Sequence, residues 1–198
     1  EAFKNIPAYV PADVEFAWSD LLSLYVLTDA HIGQYSWEKE TGSQAYDVDL
    51  AERDITDAFS AVTGLIPSGG DAVLLLNGDT LHADSQDNMT PASKHILDVD
   101  GRQFKVLDCA IRSIAWVVDH LLAKHERVKV RVQRGNHDVN AHHILTFALA
   151  ERYRDTGRVT VVKDPNELFM MRHGAVCIAA EHGDRAKADT FVHKVADV

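Results

Sequence analysis

Four short clusters carry the residue types that hold divalent metals: Asp29-Ala30-His31, Asn77-Gly78-Asp79, Gly135-Asn136-His137-Asp138 and Glu181-His182-Gly183-Asp184. Carboxylate oxygen and imidazole nitrogen together suit Mn, Fe, Zn, Co or Ni better than Ca, which prefers an all-oxygen shell. An aspartate central to such a set can bridge two ions. Two ions roughly 3.5–4 Å apart clamp a phosphate and turn a bridging water into a nucleophile at neutral pH. Asp29, His31, Asp79, Asn136 and His182 are the candidate ligands, each at or just after the end of an apolar run.

The elements that must position them follow from those runs. Leu21 to Leu27, Asp71 to Leu76 and the alternating Val128-Lys129-Val130-Arg131-Val132 have strand length and strand composition. Between them, Leu50, Ile55, Ala58, Phe59 and Val62 recur at helical spacing, with Asp47 or Asp49 as a cap. Leu107, Ile111, Ile114, Ala115, Val118, Leu121 and Leu122 mark a second, longer helix. Strand–helix–strand succession specifies an α/β sheet, whose chemistry gathers at the carboxyl ends of its strands. Ile144, Leu145, Ala148 and Leu149 form a further helical face, ending near Thr156-Gly157. Val159 to Val162, Leu168 to Met171 and Ala175 to Ala180 then read as a meander of strands in a second sheet packed on the first, and the chain from Arg185 reads as helical.

With 198 residues the chain has the length of one domain with a sizeable core. Residues 1–20, with Pro7 and Pro11, read as an extended arm anchored by Phe16 and Trp18, and 21–198 as the domain proper. No apolar run approaches the roughly 20 residues that span a bilayer. Cys109 and Cys177 lie far apart in apolar surroundings, which points to buried free thiols and a cytoplasmic location. A net charge of −10 argues against a broad basic face for nucleic acid, although bound cations would offset part of it locally.

Asp29-x-His31, Gly78-Asp79, Gly135-Asn136-His137-Asp138 and the later strand-end His182, in this order from about Leu21 to Asp184, closely resemble the calcineurin-like metallophosphoesterase superfamily. The resemblance implies an α/β fold of four α-β-β-α layers and a two-metal phosphoester hydrolase. Mn is the foremost metal, with Fe, Zn, Co, Ni or Mg as others. It implies Asp29 and His31 on one ion, Asp79 as the bridge, and Asn136 and His182 on the other. His137 would contact the phosphate or leaving group, with Asp138 orienting it. Gly78-Asp79-Thr80-Leu81-His82 is similar to the corresponding stretch of double-strand-break repair nucleases and the SbcCD exonuclease subunit, where the histidine assists at the scissile phosphate. That favours a phosphodiesterase or nuclease acting on DNA or nucleotides, with His82 as helper; a loop histidine without catalytic part is the other reading of His82.

The sequence departs from the family in one place. Its closing Gly-His-x-His motif does not occur in residues 183–198, where His193 stands alone. The expectation is a chain truncated before that motif. A phosphomonoesterase or small-nucleotide phosphohydrolase is the nearest alternative, and a decayed phosphoesterase fold used as a protein-binding module is another; a protein partner or homodimer has no support in the sequence. His95, Asp98 and Asp100 are expected in solvated loop and His142 and His143 on the surface. Lys129 and Arg131 are expected to extend past the core or touch a partner, and the basic run from Lys124 to Arg134 is a lesser candidate for a nucleic-acid backbone.

Overall fold

The computed structural model describes residues 20–185 and 187–196, so the expected anchors Phe16 and Trp18 lie outside the described residues. The elements are β1 (Leu22–Leu27), α1 (Glu38–Thr41), α2 (Val48–Leu65), β2 (Asp71–Asn77), α3 (Gln103–Leu122), β3 (Arg127–Gln133), α4 (Ala141–Arg152), β4 (Val159–Val161), β5 (Phe169–His173), β6 (Val176–Ala180) and α5 (Ala188–Ala196). β1 to β4 form one parallel sheet in that spatial order. Each parallel pair needs a crossover, and α2, α3 and α4 supply the three.

Period-2 alternation sorts the sheet's two faces. Ala72, Leu74 and Leu76 of β2 and Val128, Val130 and Val132 of β3 point into a core with Val48, Ala51, Ile55 and Phe59 of α2 and the stripe Val106, Ala110, Ile114, Val117, Leu121 of α3. α2 is capped as expected: the Asp47 side chain accepts from the Leu50 amide at 2.8 Å, and Asp100 accepts from the Val48 amide at 2.9 Å. Two of the four amides that a helix start leaves unpaired are thereby satisfied. Asp100 is therefore a structural cap and an ion-pair partner of Lys105 at 3.1 Å, where solvated loop was expected. Among the described residues no helix is long and apolar enough to cross a membrane.

On the opposite face the structure corrects several expectations. β4 is not the first strand of a meander; it pairs with β3 in the parallel sheet, because the α4 crossover returns the chain alongside β3. Among the described residues, β5 and β6 alone form the second sheet, an antiparallel hairpin that packs Phe169 on Val73 and Leu75. Arg131 neither extends into solvent nor waits for a partner: it is 3% exposed, and its guanidinium bonds Gln133 Oε1 and the carbonyls of Asp164 and Asn166. The rest of the basic run is largely occupied too. Lys124 donates to the carbonyls of Thr63 and Ile66, and Arg127 pairs with Asp71 at 2.9 Å. Lys124 and Arg131 thus bond carbonyls of this chain, while the Arg127 pair lies on the surface. Cys109 is buried as expected, but Cys177 is exposed, because it lies on a hairpin strand that nothing described covers.

Candidate metal centre

The parallel register of β1 and β2 continues past the strands and brings the first two motifs together. Asp29 N donates to Gly78 O at 3.2 Å, His31 N to Asp79 O at 2.9 Å, Ile32 N to Thr80 O at 2.9 Å, and His82 N to Ile32 O at 3.0 Å. Along this continuation Asp29, His31 and Asp79 take left-handed backbone, with φ of 53°, 44° and 50°. Non-glycine residues held there cost on the order of 1–3 kcal/mol each and cluster at functional sites. The backbone is bent so that consecutive motif side chains turn towards one point.

The third motif arrives by close approach. A Cβ on Gly135 would stand 1.9 Å from Asp79 Oδ1 and 2.3 Å from Asp79 N, so only glycine admits the third turn against the second. Gly78, at φ 90°, leaves the space in which the His182 ring lies; a Cβ there would meet His182 Nδ1 at 2.4 Å. Asp138 locks the two turns. Fully buried, it accepts from the amides of Gly135 at 2.7 Å, Leu81 at 3.2 Å and Asp79 at 3.3 Å. Burial pushes its carboxyl up to about 6 despite those bonds. This replaces the expected role, since His137 is oriented by the His82 carbonyl, to which its Nδ1 lies at 2.7 Å, and Asp138 makes no bond to its ring.

Two ligand groups result, Asp29–Asp79–His182 and His31–His82–His137, each with donor atoms within 4.8 Å of one another. Asp79 Oδ2 is 3.4 Å from His182 Nε2 and 3.9 Å from His31 Nε2, and Asp29 Oδ1 is 3.9 Å from His31 Nε2. Asn136 Oδ1 lies 3.2 Å from His182 Nε2, so Asn136 closes the set on the His182 side. The tautomers follow from the partners. His182 Nδ1, 2.8 Å from the Asn77 carbonyl, must carry hydrogen, which directs Nε2 at Asp79; His137 likewise commits Nδ1 and presents Nε2. The donor set fits divalent transition metals: two carboxylates, an amide oxygen and two imidazoles, of which His182 has its far nitrogen tied to the Asn77 carbonyl and His31 has its Nδ1 3.3 Å from His82 Nδ1.

Electrostatics agree with cation binding. The bond to Asp79 raises His182 to about 9, against the opposing effect of burial. Burial raises the Asp79 carboxyl, but the His182 bond, the His137 amide and the neighbouring imidazoles outweigh it and the net shift is down. Without a metal, His182 therefore keeps the proton on Nε2, facing the Asp79 carboxylate at 3.4 Å. Burial, with the adjacent imidazoles, lowers His31 and brings His82 down to about 4, which keeps both neutral near pH 7.

All five expected ligands and both histidines, His82 and His137, thus meet in one place. His95 and His193 stay exposed, away from both groups. His142 is 8% exposed, contrary to expectation, because its Nδ1 bonds the Asp138 carbonyl at 2.9 Å; His143 is on the surface. Two supporting residues escaped sequence reasoning. Asp84 accepts from the amides of Asn140 at 2.6 Å and Ala141 at 2.8 Å, tying the His82 loop to the start of α4. Arg134 joins the third turn to the His182 segment. Asp84 caps a helix that starts far along the chain, so no local pattern announces it. Comparison with models of protein families, with curated proteins and with solved structures found no match to this chain.

Proposed function

We propose that this chain is a two-metal phosphoester hydrolase whose substrates are phosphodiesters, with DNA or nucleotides as the substrate class. The observation that carries the proposal is Asp79: a buried carboxylate held below the usual carboxylate range, with Asp29 and His31 on one side and His182 and Asn136 on the other. In this reading Asp29, His31 and Asp79 hold one divalent ion, Mn foremost, and Asp79, Asn136 and His182 hold a second. Such ions neutralise phosphate charge and lower the pKa of a bound water. The hairpin is then the second sheet of a four-layer α-β-β-α fold, and the two free thiols suit the cytoplasm.

The chain's own residues have distinct tasks. His137 offers Nε2 to the substrate because its Nδ1 is committed, and when protonated there it donates to a phosphate or leaving-group oxygen. His82, neutral at working pH, lies with its ring stacked against His137 at 5.2 Å between centroids. It limits the directions from which substrate reaches His137. Asp138 keeps the two ligand-bearing turns in contact.

The test is Mn-dependent hydrolysis of bis-para-nitrophenyl phosphate and para-nitrophenyl phosphate, with His137→Ala in parallel. The proposal expects the diester to be cleaved in preference, with His137→Ala slowing it by roughly 10²–10⁴-fold at unchanged metal content. Preference for the monoester would reassign the chain as a phosphomonoesterase. Metal uptake without hydrolysis of either ester would overturn the enzymatic reading.

A further inference from the structure

His182 is the one candidate ligand that comes from the hairpin, and apolar packing alone holds that hairpin weakly. The buried cluster between the sheets consists of Val73, Leu75 and Phe169, with Leu22, Met171 and Ala180 partly buried around it. Yet Nε2 of His182 stands within 3.4 Å of Asp79. Something else must fix the end of β6 against the first sheet.

The polar edge of β3 does this. Gln133 Nε2 donates to the carbonyls of Glu167 at 3.1 Å and Ala180 at 2.9 Å, bracketing the hairpin's two ends. Arg134, the next residue and the last before the Gly-Asn-His-Asp turn, engages on three sides. Its Nη1 bonds Glu167 Oε1 at 2.8 Å, its Nη2 bonds Asp184 Oδ2 at 2.8 Å, and its Nε donates to the Gly135 carbonyl at 3.2 Å. The Arg134 side chain is only 10% exposed and that of Asp184 19%, so this ion pair is sheltered from most of the screening that weakens surface pairs. Asp184 lies two residues beyond His182, and Gly135 immediately precedes Asn136. The guanidinium therefore spans from the backbone beside one candidate ligand to the segment carrying the other. Asp184 Oδ2 also lies 3.6 Å from Arg185 Nε.

We infer that Arg134 is a positioning residue for the Asp79–Asn136–His182 ion site, holding His182 in register with Asn136 through Asp184 and Glu167. The inference rests on the reading that this centre binds two metal ions. Arginine suits the task because its planar fork meets two carboxylates and a carbonyl in fixed directions, where lysine offers one compact charge.

The experiment compares the unmutated chain with Arg134→Gln, Arg134→Lys and Asp184→Asn by calorimetric Mn titration and by hydrogen exchange of the 181–184 segment without metal. Expected for Arg134→Gln are faster exchange in 181–184, one Mn step weakened roughly 10- to 100-fold, as for loss of a group orienting a metal ligand, and the other step unchanged. Arg134→Lys recovers part of the loss, and Asp184→Asn reproduces part of it. Equal weakening of both steps together with a general fall in thermal stability would make Arg134 merely structural and overturn the inference, as would unchanged exchange and unchanged affinity in Arg134→Gln. If the unmutated chain takes up no Mn, the metal reading itself falls. That result is separate from a clamp failure, in which the unmutated chain binds two ions and the variants do the same.

Discussion

Replacing Gly135 by alanine adds a single methyl group, and the geometry says where it goes. The new Cβ would stand 1.9 Å from Asp79 Oδ1, 2.3 Å from Asp79 N and 2.6 Å from Asp79 Cγ. Carbon–oxygen contacts relax only beyond about 3 Å, so the third turn and the second must part by about 1 Å. Because one of the clashing atoms is backbone, rotating the Asp79 side chain cannot relieve it. Parting the turns stretches the bonds from the amides of Asp79 and Leu81 to Asp138, and from the His137 amide to Asp79 Oδ1 at 2.8 Å. Overpacking of this kind costs about 1–3 kcal/mol. At roughly 2–4 °C per kcal/mol for a chain of this size, the melting temperature should fall by about 2–12 °C. Mn affinity should fall further than stability does, because the displaced carboxylate is the proposed bridge. Gly64→Ala is the control, since Gly64 lies in α2 with nothing within 4 Å of its would-be Cβ, and it should be neutral or stabilising by up to about 1 kcal/mol. Scanning calorimetry with Mn titration of both variants decides it. A Gly135→Ala chain that melts and binds Mn as the unmutated one does would refute the packing argument.

Other outcomes follow from the same structure. His125 is fully buried between Tyr25 Oη and the Gly69 carbonyl, each at 2.8 Å, and burial lowers its pKa. The unfolded chain, titrating near 6.5, takes up protons that the folded chain refuses, so stability present above about pH 6.5 declines as pH falls from there towards the lower folded value. Melting curves from pH 8 to 5 should show that decline, with a shallower slope in His125→Gln; an identical slope would show that His125 contributes none of it. One thiol, Cys177, should react quickly with a disulfide reagent under native conditions, with Cys109 following only on denaturation; two fast equivalents would contradict the fold around α3. Asp84→Ala removes the acceptor for the Asn140 and Ala141 amides and should cost about 1 kcal/mol, seen as a drop of roughly 2–4 °C in melting temperature.

Much of this centre was legible because apolar runs ending in Asp, Asn and His announce strand ends, and a parallel sheet collects its strand ends on one edge. Asp29, His31, Asp79, Asn136 and His182 could be proposed as ligands without coordinates for that reason. The left-handed backbone at Asp29, His31 and Asp79 was not legible position by position, since Asp and His are enriched at positive φ but most of them do not adopt it. Nor was the job of Asp138, whose partners are three amides on two different turns. Local pattern also misassigned β4. The stretch Val159–Val161 is three residues long and suits either sheet, and only the α4 crossover decides that it joins β3. Lys129 and Arg131 signalled that one face of β3 is not simply apolar. The carbonyls of Asp164 and Asn166 that occupy Arg131 carry no sequence signature.

The proposed function depends above all on Asp79 lying between two divalent ions. Anomalous diffraction from Mn-soaked crystals at the manganese edge tests it most directly. Two peaks are expected flanking the Asp79 carboxylate, one beside Asp29 and His31 and the other beside Asn136 and His182, with the Nε2 proton of His182 displaced. A single peak among His31, His82 and His137, or no peak at Asp79 under saturating Mn, would contradict it.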